Sequence, residues 1–175
     1  MTTEKNFWKQ IKSNLPENCL TYRIESRTTK GIPDVHVLWD NLPFWLELKT
    51  TKHNALQISP FQISFNTTYW NNGGFSFYLV KRAKDNGLFL FDGNKGSELS
   101  EFGISGTSGF RGSGFRDIWI KIKETIKNPT IKERKKIVGL TRILKFFKKA
   151  CKKNPCKLSS FFINLNLLIE LFRYQ

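Results

Sequence analysis

The chain has 175 residues and a mass of 20.4 kDa, enough for one domain with an appendage and too short for two full α/β domains. Hydrophobic residues make up 39% and aromatics 14%, which fills a core and excludes disorder throughout. A formal net charge of +15 and a pI near 9.9 point to a polyanionic partner, of which nucleic acid is the commonest.

In chain order, residues 4–15 read as an amphipathic helix, with Glu4, Trp8, Ile11 and Leu15 on one face and Pro16 beyond its end. Leu20–Ser26 alternates, Leu20, Tyr22 and Ile24 against Thr21, Arg23 and Glu25, as a half-buried strand does. Val35–Asp40 and Phe44–Thr50 are two more strands, joined through the turn-rich Asp40-Asn-Leu-Pro43. Ser59-Pro60 starts a helix, with serine as N-cap and proline in the first turn; it runs to about Trp70 and stops at Asn71-Asn-Gly-Gly74. Phe75–Val80 and Leu88–Phe91 are further strands. Residues 93–115, with glycines at 103, 106, 109, 112 and 114, read as a long loop. Its N–H groups with Arg111 and Arg116 would line a phosphate track, and Phe110 or Phe115 would stack on an unpaired base; the other reading is a plain linker. Ile118–Ile126 reads as a short helix or a strand. The order implies an α/β fold with a mixed central sheet flanked by helices.

The charge is uneven. Residues 130–157 hold 11 basic and one acidic residue, a net +10, whereas residues 1–129 carry +5 and residues 158–175 balance. The break near Pro129 divides the chain into a compact domain, 1–128, and a basic helical extension, 129–175. Residues 131–153 have helical period, and Leu158–Phe172 is apolar but too short and polar to span a bilayer. A basic amphipathic helix of this kind suits a phosphate backbone, a membrane surface or an acidic partner. Three cysteines make no closed disulfide framework and suggest a reducing compartment. Met1–Asn6 has no charged-then-apolar leader, so a cytoplasmic location without a membrane partner is expected. The wealth of Lys, Asn, Phe and Ile suits an AT-rich genome, such as that of a phage or mobile element.

The informative segment is Gly31-Ile-Pro-Asp34 followed by Glu47-Leu48-Lys49. Glu47 and Lys49 share one face of a strand, where they make a poor salt bridge but a shared pocket. Counting back from a turn centred near Asn41-Leu42 puts Asp34 opposite Lys49 or nearby, within diagonal reach of Glu47. Two carboxylates so placed hold a hard cation such as Mg²⁺, with the Leu48 carbonyl as a further oxygen ligand. A cation there would polarise a phosphodiester, and the Lys49 ammonium would orient or activate the attacking water.

These residues resemble the PD-(D/E)XK nuclease superfamily. With Gln62 in the following helix and the strand entry Gly73-Gly-Phe75, the pattern is most similar to the VRR-NUC and archaeal Holliday junction resolvase branches, over roughly residues 4–82. The resemblance implies a restriction-endonuclease-like fold and Mg²⁺- or Mn²⁺-dependent cleavage of DNA. It gives Asp34, Glu47, Lys49 and Gln62 catalytic positions, with Gln57 a second choice for the glutamine. It makes Glu4 the acid of the first helix beside Asp34, Glu47 and Leu48 in the metal shell, with Glu25 as an alternative. The implied partner is DNA, structure-specific cleavage implies branched DNA, and a junction resolvase implies a homodimer. Two alternatives remain: a non-catalytic DNA-binding protein that retains the fold, and a sequence-specific endonuclease of the homing or restriction type.

Overall fold

The computed structural model describes residues 4–24 and 30–128. Residues 1–3, 25–29 and 129–175 lie outside them, and with these Glu25, the basic extension and the apolar segment 158–172.

Helix α1 (Glu4–Ser13) buries Phe7 and Ile11, with Trp8 and Leu15 partly covered beside them. It leads to strand β1 (Cys19–Arg23), which pairs antiparallel with β2 (Val35–Trp39). The expected alternation in β1 is present, but with the opposite face inward. Leu20 and Tyr22 are 49% and 57% exposed. The register explains it: Cys19 and Thr21 stand opposite Trp39 and Val37, whose side chains are buried, so they share the covered face, while Arg23 at the strand end is exposed.

Strand β2 turns into β3 (Leu42–Thr51) through Asp40-Asn41, both with positive φ, 49° and 63°. Such a two-residue turn matches the twist of its strands, and Asp and Asn tolerate the left-handed region. The strands therefore run to Trp39 and from Leu42, closing the hairpin one residue earlier than Asp40-Asn-Leu-Pro43 suggests. Helix α2 (Pro60–Asn71) crosses to β4 (Ser76–Arg82), parallel to β3, and β5 (Gly87–Asp92) returns antiparallel. Among the described residues the sheet has six strands in sequence order, with one parallel pair, and helices lie on both faces. This is the mixed α/β architecture expected.

Residues 93–115 are not a long loop. A 3₁₀ turn at Gly93–Lys95 runs into α3 (Gly96–Gly106), and β6 (Phe110–Gly112) adds an edge strand beside β5. The glycines here permit close packing. A Cβ at Gly109 would lie 2.3 Å from the Phe91 ring. Gly103, at φ +69°, kinks α3 against Asn54, whose carbonyl and side chain bind Ile104 N–H and Ser105 N–H at 3.0 and 2.6 Å. Of the residues read as a phosphate track or stacking pair, Phe110 and Phe115 pack against the core and Arg111 pairs with Asp85 at 2.8 Å.

Helix α4 (Phe115–Lys127) resolves the ambiguity at 118–126, with Ile118, Ile122 and Ile126 recurring every four residues on its buried side. With Phe7 and Ile11 they cover one sheet face, on Val35, Val37, Phe44, Leu46, Leu48 and Phe77. The other face carries Tyr78, Val80, Phe89 and Phe91 against Leu99, Ile104 and Ile63. No helix among the described residues is long and apolar enough to cross a membrane.

Candidate active site

The site forms where β2 ends. The last β2–β3 pair is Val35 with Leu46, so Asp34 stands one step beyond it, across from Glu47 rather than Lys49. Gly31 brings the chain there at φ +87°, and a Cβ on it would lie 2.4 Å from the Phe61 carbonyl oxygen, so glycine alone fits this crossing over α2. The Asp34 carbonyl accepts from Ile24 N–H at 2.8 Å, and its Oδ2 accepts from Leu48 N–H at 2.8 Å. Burial raises the Asp34 pKa; the Leu48 amide, Lys49 and Arg23 act against it. Both backbone polar groups of a strand residue point to the same neighbour, so the Leu48 carbonyl lies on the edge that β2 has vacated.

Glu47 is wholly buried. Its Oε1 accepts from Gln62 Nε2 and lies 3.1 Å from Lys49 Nζ. Glu47 and Lys49 thus meet along the strand, contrary to the expectation from spacing alone. Helix α2 packs on the same face of β3, with Phe65 against Trp45 at 5.9 Å between ring centres, and the Lys49 side chain is 12% exposed. Glu47 Oε2 is buried without a hydrogen-bond partner. Burial, then the charge of Asp34, pushes the Glu47 carboxyl up to about 8, with Lys49 pulling down. Both donors sit on Oε1, so Oε2 is left for a proton or a cation.

Gln62 has two tasks. It is the third residue of α2, and its Oε1 accepts from Ser59 N–H at 3.0 Å while Ser59 Oγ accepts from Gln62 N–H at 3.2 Å, a capping box. That fixes the amide so that Nε2 faces Glu47. Gln57 is exposed and precedes the helix, and His53 is exposed in a turn. Glu4 lies in the first turn of α1 as an exposed residue, but its carboxyl interacts with Asp34, Lys49 and Arg23. Partial burial raises its pKa, Lys49 lowers it, Asp34 raises it and Arg23 lowers it.

Behind Gln62 is a support that sequence reasoning missed. Asn66, fully buried, donates to the Gln62 carbonyl at 3.0 Å, and the Tyr78 hydroxyl donates to the same oxygen at 3.3 Å. Tyr78 is the register partner of Glu47 on β4, and its pKa is raised by burial and by the Glu47 charge. The readable signal was the pair Gln62 and Asn66, two amides four apart on one helix face.

Among the described residues no cluster of three or more His, Cys, Asp or Glu side chains is placed to hold a metal ion. Mg²⁺ does not require one, since it keeps several waters and binds through one or two carboxylates. Asp34 and Glu47, with an open carboxylate oxygen and a carbonyl on the adjacent edge, fit that donor set.

No family model matches the sequence, and no curated protein matches it. Among solved structures the chain is similar to Archaeoglobus fulgidus Hjc, a Holliday junction resolvase from an archaeal hyperthermophile. The identity is 12%, the TM-score 0.41, and the match covers 58% of this chain and 91% of that one. Similarity at this level says nothing of activity.

Proposed function

We propose that the chain is a metal-dependent DNA endonuclease that hydrolyses phosphodiester bonds. The observation that carries this reading is the unpartnered Oε2 of wholly buried Glu47 beside Asp34. A buried carboxylate oxygen with no donor is costly, and a cation offsets that cost. Asp34, Glu47 and the Leu48 carbonyl would hold Mg²⁺ or Mn²⁺, which supplies a Lewis acid and lowers the pKa of its bound water. Gln62 engages Oε1 and leaves the buried Oε2 free to meet a cation. Lys49 places its ammonium where charge develops on the phosphate and orients the attacking water. Glu4, whose carboxyl interacts with Lys49, Asp34 and Arg23, supports the metal shell. The substrate is branched DNA, cut by a two-fold dimer; light scattering should then give about twice 20.4 kDa.

The test is plasmid nicking with and without Mg²⁺, followed by a panel of junctions, flaps and linear duplexes. Asp34→Asn, Glu47→Gln and Lys49→Ala should abolish cleavage and leave binding largely intact, as expected for groups that act in the transition state. Cleavage by Asp34→Asn at the wild-type rate overturns the assignment. Binding without cleavage by the wild type would make this a non-catalytic DNA-binding protein.

A further inference from the structure

Three of the four aromatic residues of helix α2 lie on the side where a surface helix normally carries polar ones, and Trp70 packs on the core. The helix's one fully buried residue is Asn66, and Gln62 turns inward to Glu47, while Phe61 is 54% exposed. Phe61, Phe65 and Tyr69 recur every four residues and so make one stripe. Phe65 and Tyr69 are stacked, with ring centres 5.9 Å apart and planes 9° from parallel. Lys30 Nζ lies 5.4 Å from the centre of the Phe61 ring. Ser64 and Thr68 line the same groove, whose volume is about 410 Å³.

The groove adjoins the carboxylate pair. Trp45 touches Phe65 and lies two residues before Glu47 on the same face of β3, roughly 7 Å along the strand. Gly31 rests on the Phe61 backbone, and Asp34 follows three residues later. A flat ring surface, one cation held over it and a rim of hydroxyls match the faces and the phosphate of a single nucleotide. Bases inside a duplex already stack on each other and present no free face. A purely apolar protein partner would leave the Lys30 ammonium without a counter-charge.

We propose that this groove binds an unpaired nucleobase of the strand being cut, stacked on Phe61 and the Phe65–Tyr69 pair, with Lys30 on its phosphate. This rests on the nuclease reading and narrows it to DNA with unpaired nucleotides beside the cleaved bond.

The test uses the full chain in EDTA, so that no cleavage occurs. Fluorescence anisotropy measures binding to a single strand of about 12 nucleotides, a forked duplex and a blunt duplex. Phe61→Ala should weaken binding to the single strand and the fork by about 10-fold and leave the blunt duplex unchanged. Phe61→Tyr should restore it. A 2-aminopurine base beside the fork should be quenched by the wild type and Phe61→Tyr but not by Phe61→Ala. Equal binding of all three DNAs by wild type and Phe61→Ala overturns this inference alone, as does an equal loss on all three. So does a fall in mass by light scattering in Phe61→Ala, which would show that a second copy occupies the groove. A wild type that binds none of the three removes the nuclease reading and this inference with it.

Discussion

Glu47 concentrates the electrostatic tension of the site. Its carboxyl sits near 8 against an ordinary 4.5, so without a cation it holds a proton at neutral pH. The sign of the consequence follows. A carboxyl raised on folding binds more protons in the native state, so the stability it confers is present below about 4.5 and is lost as pH rises towards 8. The metal-free protein should therefore melt at lower temperature at pH 8 than at pH 5, and Glu47→Gln should flatten that dependence in a thermal scan. Cation binding at pH 7 should release a proton. Calorimetry in buffers of different ionisation enthalpy would show this, and Glu47→Gln should abolish it.

At the scale of elements, the two faces of the sheet do different work. Ile122 on α4 is fully buried on the face away from Glu47. Ile122→Ala should cost about 2–5 kcal/mol in chemical denaturation and leave the cleavage rate per folded molecule unchanged. Ser59→Ala should cost less, about 0.5–2 kcal/mol, and yet slow cleavage, because the cap it removes also fixes Gln62. The sequence made the elements near the site legible because their signals are local: alternation in 35–39 and 44–50, and the serine-proline start of α2. It misplaced Asp34 by two positions because a turn with φ above zero at both central residues needs only Asp40 and Asn41. It misread the inward face of β1 because pairing with β2, a tertiary fact, decides it. It took 93–115 for a loop because glycine signals freedom locally, whereas the ring of Phe91 and the side chain of Asn54 come close only after folding.

For the whole molecule, the candidate site and most of the charge are separate along the chain. Every proposed catalytic or metal-binding residue lies within Glu4–Gln62, whereas residues 130–157 carry +10. Deleting residues 130–175 should weaken binding alike for all DNA sequences, since phosphate contacts carry no base information. The dependence of log affinity on log salt should flatten by about 0.9 for each phosphate of duplex DNA that the shortened chain no longer neutralises. Cleavage at low salt should persist. An unchanged salt slope would show that the extension does not bind phosphate, and a membrane or protein partner would then account for its charge.

The shared amide of Gln62 has a kinetic consequence. The first turn of α2 cannot fray without also releasing Glu47, since one side chain closes the cap and holds the acid. Opening of the helix end and loss of the arranged carboxylate are then a single local event with one free energy. Hydrogen exchange should report it: the backbone amides of Ser59 and Gln62 should exchange together and slow together when Mg²⁺ is added. In Glu47→Gln, Mg²⁺ should leave both rates unchanged.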